Sequence, residues 1–115
     1  MAWELTDDRP IYLQLMEHIQ GNILSGIYPL GGKLPSVRDL AADASVNPNT
    51  MQKALSELER IGLLYSQRTS GRFVTEDEKL IRSLQSSIAE KEIAEFLKKM
   101  ERYGLTREDI INLIQ

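Results

Sequence analysis

The chain has 115 residues, the size of one ordinary domain or of a small domain with an appendage. Its composition, 42% hydrophobic and 27% charged, is too apolar for disorder, and no run approaches the ~18 apolar residues that would span a membrane. The absence of cysteine excludes disulfides and thiolate metal sites, and the net charge of −3 argues at first against a nucleic-acid partner.

The amino terminus, MAWELTDDRP, is acidic and has no apolar stretch. It does not read as a secretory signal, and a cytoplasmic protein is expected. From Pro10 to Ser25, Ile11, Leu15, Ile19, Ile23 and Leu24 recur at helical spacing, with Pro10 suited to the first helical position and Gly26 to the end. Gly21 within this helix suggests a close-packing point. The turn-rich GIYPLGGKLP of residues 26–35 excludes helix and leaves room for a short strand at Lys33–Leu34. Ser36-Val37-Arg38-Asp39 has capping-box spacing and opens a short helix through Leu40, Ala41 and Ala42. After a turn at Ser45-Val46, Asn47 as cap and Pro48 as first residue start a helix through Met51, Ala54, Leu55, Leu58 and Ile61, closed by Gly62. Leu63–Tyr65 and Phe73-Val74 flank a turn at Arg68–Gly71 and predict a hairpin. From Glu76 onward, Leu80, Ile81, Leu84, Ile88, Ile93, Phe96, Leu97, Met100 and Tyr103 are read as one stripe on a long helix that stops at Gly104. Thr106-Arg107-Glu108-Asp109 then caps a last helix with Ile110, Ile111, Leu113 and Ile114.

Two short helices around a tight turn, followed directly by a hairpin, describe a winged helix-turn-helix. The expected fold is therefore mainly α (α+β). A winged helix-turn-helix with a small β-wing occupies residues 1–75, and a two-helix dimerisation element occupies 76–115. The charge distribution agrees with this reading. Residues 33–72 hold six bases (Lys33, Arg38, Lys53, Arg60, Arg68 and Arg72) against four acids, whereas both flanks are acidic. A modestly acidic chain with one basic face limits non-specific attraction to phosphate while keeping the local attraction.

Four separated blocks carry a family resemblance: Pro10-Ile11-Tyr12-Leu13-Gln14-Leu15, Leu34-Pro35-Ser36-Val37-Arg38-Asp39-Leu40-Ala41, Val46-Asn47-Pro48-Asn49-Thr50 and Gly71-Arg72-Phe73-Val74. In this order and spacing the chain resembles the amino-terminal DNA-binding domain of the GntR family of bacterial regulators, over residues 10–75. The roughly forty residues that follow are too few for a large effector-binding or aminotransferase-like domain. They resemble the tail of the small YtrA-like branch, including FLKKMERYGLTREDIINLIQ from Phe96 to Gln115. That branch implies a dimerising tail and, often, control of transport operons, with repression as the family's usual effect.

The candidate DNA-binding residues follow from groove chemistry. A recognition helix reads base edges with its amino-terminal residues, which places Asn47, Asn49, Thr50, Gln52 and Lys53 at the bases. Asn and Gln bond adenine bidentately, Thr meets a base or a thymine methyl, and Lys reaches guanine or phosphate. Asn47 is equally suited to plain capping, and Asn49, Thr50 and Gln52 would also serve as a solvated face. Arg38, in the first turn of the preceding helix, is unfavourable for the helix dipole. The resemblance implies that it contacts DNA; the alternative is an ion pair with Asp39 or Asp43. At the hairpin, the resemblance implies minor-groove or phosphate contact by Arg68, Ser70, Gly71 and Arg72, with turn geometry as the other reading of Gly71 and ordinary surface charge as that of the arginines. Where many relatives have arginines in the recognition helix, this chain has Pro48 and Gln52. More phosphate attraction must then come from Arg38, Lys53 and the wing.

One recognition helix reads too few base pairs to select a genomic site, so a homodimer on a palindromic operator is expected. The candidate dimerisation residues are Leu84, Ile88, Ile93, Phe96, Leu97, Met100, Ile110, Ile111 and Ile114. The alternative is a tail folded back on its own DNA-binding domain. Double-stranded DNA and a second copy of the chain are the expected partners, and no membrane, metal or cofactor is. A small-molecule effector is left open: Trp3, Tyr12, Phe96 and Tyr103 would line a site at the interface, although core packing is the expected role of all four. An enzyme is disfavoured, since the sole histidine, His18, lies mid-helix and no phosphate loop, metal-ligand cluster or nucleophile–base set is present. A winged helix used for protein contact would not need the polar recognition helix and basic wing found here.

Overall fold

A computed structural model describes residues 3–115. Its elements run α1 (Ile11–Leu24), α2 (Val37–Ala44), α3 (Pro48–Arg60), β1 (Leu64–Gln67), β2 (Gly71–Val74), α4 (Glu78–Glu101) and α5 (Arg107–Ile114). The described residues up to Ile81 form one compact unit and Arg82–Gln115 a second.

In the first unit α1 turns Leu15, Ile19 and Ile23 inward, one helical turn apart, and all three are buried. Pro10 is the cap before α1 and not its first residue: its ψ of 133° is extended, and Ile11 begins the helix. Gly21 is exposed, and a Cβ there would meet nothing within 4 Å, so it is not a packing point. Two polar residues of α1, Gln14 and Asn22, are buried, and Gln14 is the one that ties down the segment before the helix. Its amide donates to the carbonyls of Thr6 (2.8 Å) and Arg9 (2.9 Å), and its oxygen accepts the Thr6 N–H at 2.7 Å. These bonds satisfy the amide and fasten the preceding segment along the helix. Farther along the same segment, Trp3 stacks on His18 of α1 with ring centroids 3.9 Å apart, and its indole N–H donates to Asp43 of α2 at 2.8 Å. Burial holds the His18 imidazole below its ordinary pKa.

Ser36 caps α2 by accepting the Asp39 N–H, and Asn47 caps α3 by accepting the Asn49 N–H at 2.7 Å. Between the helices Ser45 takes the left-handed conformation (φ 57°, ψ 46°), and its N–H and that of Val46 bond back to Ala42 and Ala41. That reverses the chain in three residues and is the turn of the helix-turn-helix. Gly62, at φ 91°, ends α3 and releases the chain into the hairpin, where Leu64 pairs with Val74 and Gln67 with Gly71. The expected strand near Lys33 is present as a single bridge to Phe73. It is extended by bonds from Leu34 N–H to the Arg72 carbonyl and from Val74 N–H to the Gly32 carbonyl, both 2.9 Å. The hairpin therefore has a backbone neighbour at its root and none at its tip. Leu40, Ala41, Met51, Ala54, Leu55, Leu58, Leu63, Leu64 and Val74 close the core around α1.

In the second unit α4 ends in a glycine-assisted turn at Gly104 (φ 76°), and α5 starts with a full capping box. Thr106 Oγ1 accepts the Asp109 N–H at 3.2 Å, and Asp109 accepts the Thr106 N–H at 2.8 Å. These bonds hold the Asp109 carboxyl below its usual range. The apolar residues of α4 do not make the single stripe expected. At ~100° per residue, Leu84 and Ile88 lie roughly 150° around the axis from the centre of the Ile93, Phe96, Leu97 and Met100 set. Within one chain Ile88, Ile93, Phe96 and Ile111 are 40–55% exposed (40%, 55%, 45% and 42%), and Ile114 is 77% exposed; Ile110 is buried. Core packing is likewise not the role of Phe96 or of Tyr103, which is 70% exposed, while Trp3 and Tyr12 are half-buried.

Because Leu55 is fully buried in the core, Leu55→Ala leaves a cavity and should cost about 2–5 kcal/mol. Thermal denaturation of the variant followed by circular dichroism checks this; a loss below ~1 kcal/mol would contradict the packing described.

Candidate nucleic-acid interface

Helix α3 is divided lengthwise. Met51, Ala54, Leu55 and Leu58 are buried, so the residues between them face outward. Asn49, Gln52 and Lys53 are exposed and Thr50 is half-buried. Asn47 is exposed with its side-chain oxygen engaged in the cap, which leaves its amide N–H groups as the part able to reach outward. Gln52 donates to Ser56 one turn on, at 3.1 Å. Lys53 lies over the ring of Tyr12 with Nζ 3.9 Å from the centroid, a cation–π contact from α1 that restrains an otherwise mobile ammonium. Arg38, on the first turn of α2, is exposed and makes no ion pair among the described residues. Asp43, one of its two expected partners, instead accepts from Trp3.

The hairpin divides into an open tip and a braced root. Arg68 and Ser70 are exposed at the tip, where the Ser70 N–H closes the turn on the Gln67 carbonyl. Gly71 follows at φ 107°, a conformation that only glycine adopts without strain. Arg72 is placed differently. Its Nε donates to Glu59 Oε1 at 3.0 Å, its side chain is 18% exposed, and Ser66, its cross-strand partner, donates to the same oxygen at 2.5 Å. Glu59 thus ties both strands of the hairpin to the last turn of α3. The Ser66 hydroxyl first, and the Arg72 guanidinium after it, hold its carboxyl below the ordinary 4.5. The sequence reading missed Glu59, Ser66 and the link from Tyr12 to Lys53. Each joins residues on different elements of the fold, and no local pattern signals such a pairing.

Between the start of α2 and the hairpin lies an open groove of about 700 Å³, lined by Lys33, Ser36, Asp39, Arg68, Gly71 and Arg72 among others. No group of three or more His, Cys, Asp or Glu among the described residues is arranged to hold a metal ion. No helix among them is long and apolar enough to cross a membrane.

A polar-faced second helix of a helix-turn-helix, followed by a braced hairpin with cationic residues, defines a winged-helix DNA-binding regulator. Residues 11–74 match the family model described as bacterial regulatory proteins of the gntR family, and the chain belongs to that family. It is 34% identical over 112 residues to the HTH-type transcriptional regulator YhcF of Bacillus subtilis, covering 97% of this chain and 93% of that one. It is 44% identical over 70 residues to the HTH-type transcriptional repressor YtrA of the same organism, covering 61% of this chain and 54% of YtrA. Among solved structures, a GntR family transcriptional regulator from Listeria monocytogenes superposes with a TM-score of 0.88 at 38% identity, over 96% of each chain.

The Glu59 pairing has a pH signature. A carboxyl whose folded pKa is depressed contributes stability above its unfolded value, and that contribution is lost as pH falls through the folded pKa. Glu59→Gln should therefore lower stability at pH 7 by on the order of 1 kcal/mol, the scale of a partly solvated charge-assisted bond. The gap to wild type should close as pH falls below about 4.5. Urea denaturation from pH 7 to pH 3 measures it; a gap independent of pH would show that Glu59 does not brace the hairpin through its charge.

Proposed function

We propose that this chain is a repressor that binds a palindromic operator as a homodimer, with the amino-terminal half of α3 in the major groove and the hairpin at the minor groove or the flanking phosphates. The observation that carries the reading is the outward face of α3. Asn47, Asn49, Thr50 and Gln52 present side chains suited to adenine or thymine edges, Lys53 lies on the same helix face, and the exposed, unpaired Arg38 on the first turn of α2 adds a second cation. A domain of similar fold supports it: the DNA-binding domain of AraR, whose structure was solved in complex with operator ORX1. Arg68 and Ser70 are free to approach DNA, whereas Arg72 contributes first through the Glu59 brace and only secondarily through its remaining N–H groups. The repressors YtrA and NagR among the relatives support repression, and a DNA partner supports a cytoplasmic location. Control of a transport operon rests on the resemblance to the YtrA-like branch alone.

Dimerisation is supported by the second unit. Ile88, Ile93, Phe96, Ile111 and Ile114 remain exposed in one chain, and water contact at that many large apolar side chains is what association removes. Leu84, Leu97 and Met100 are half-buried beside them. Because the apolar residues of α4 divide into two sets, the interface is read as centred on the Ile93, Phe96, Leu97 and Met100 set together with α5. Residues 1–75 are proposed as the DNA-binding part and 76–115 as the dimerising part.

Selection from a random duplex pool with purified full-length protein tests the reading. An inverted repeat bound with affinity falling steeply in salt is expected. A single unrepeated half-site would sink the dimer, and no enrichment by folded protein would sink DNA recognition. On the selected operator, Gln52→Ala should cost about 1–3 kcal/mol and relax preference at one position of each half-site. Phe96→Asp should convert the dimer to monomer in sedimentation velocity at micromolar concentration while the first unit keeps its thermal transition; an unchanged sedimentation coefficient would remove this face from the interface.

A further inference from the structure

Lys33 has no part in the reading above, yet its placement is specific. It belongs to the segment that bonds along β2, and its own backbone bridges to Phe73. Its side chain is exposed and runs toward the tip of the hairpin, where it passes Gly71. A Cβ built on Gly71 would lie 3.2 Å from Lys33 Cε and 4.0 Å from Nζ. Gly71 therefore does two things at once: its φ of 107° makes the turn into β2, and its missing side chain leaves the channel in which the lysine lies. Lys33 shares the groove between α2 and the hairpin with Arg68, Arg72 and the single acid Asp39, and Arg72 is already neutralised by Glu59. The uncompensated charge of the groove is thus positive.

Duplex geometry says what such a groove is for. In a helix-turn-helix the second helix lies in the major groove while the first, here α2, crosses the sugar-phosphate backbone; with the hairpin at the adjacent minor groove, the strand bounding the two grooves runs past the start of α2 on its way to the hairpin. We propose that the groove between α2 and the hairpin seats that strand, and that Lys33, laid across Gly71, makes a direct phosphate contact there. The inference rests on the DNA-binding function proposed above and adds a contact that positions the duplex and does not read its sequence.

The test uses full-length protein with the operator recovered by selection and an unrelated duplex of equal length, titrated from low salt to ~1 M. Losing one phosphate contact lowers the slope of log K against log salt by ~0.9, so Lys33→Met should bind about eightfold more weakly at ~0.1 M salt and approach wild type near ~1 M. The loss should be equal on both duplexes, and Lys33→Arg should keep the wild-type slope. Unchanged melting temperatures for both variants are expected, since only an exposed side chain is altered. A Lys33→Met slope equal to wild type, or a loss confined to the operator, overturns the phosphate contact. Wild-type protein that binds neither duplex overturns the DNA-binding function together with it.

Discussion

Met51, Ala54, Leu55 and Leu58 are withdrawn from water, and that one burial fixes where the rest of α3 points. The helix packs against α1, α2 and β1, so it is held from three sides and rotation about its axis would expose apolar surface in every direction. Side chains at the intervening positions have no choice but to face outward. The polar surface of Asn49, Gln52 and Lys53 is the complement of the core and follows from it. Capping by Asn47 and the left-handed Ser45 set where this surface begins, because they leave only three residues between the end of α2 and the start of α3.

The hairpin depends on the same helix at second hand. A two-stranded ribbon is marginal by itself. Here it is supported on one edge by the backbone of residues 31–34 and on one face by Glu59, which accepts from Ser66 and Arg72 on opposite strands. Since Glu59 sits on the last turn of α3, reading helix and wing share one rigid attachment. Arg72 looks like a free cation in the sequence and is an internal strut in the structure. Lys33, which sequence patterning leaves as one base among six, occupies a built position over Gly71.

The second unit follows a different logic. Its local signals are strong, with a complete capping box at Thr106 and Asp109, yet only Ile110 is buried there. Secondary structure is secured by caps and backbone bonds while most of the apolar surface stays exposed within one chain. Exposed Phe96 and Tyr103 correct the expectation of core packing for those rings and are consistent with association through this region.

The sequence by itself determined the elements and their order. Apolar spacing, Ser36, Asn47, Thr106, Gly62 and Gly104 act within a few residues, and local chemistry is enough to place helix ends and turns. The polar face of α3 was legible for the same reason, since its periodicity also reveals its buried face. What only the tertiary structure decided are the pairings across sequence distance: Gln14 with Thr6 and Arg9, Trp3 with Asp43, Tyr12 under Lys53, Glu59 between Ser66 and Arg72, and Lys33 across Gly71. Each is a meeting of side chains brought together by the packing of the helices and hairpin, and a one-dimensional pattern carries no record of which surfaces will meet.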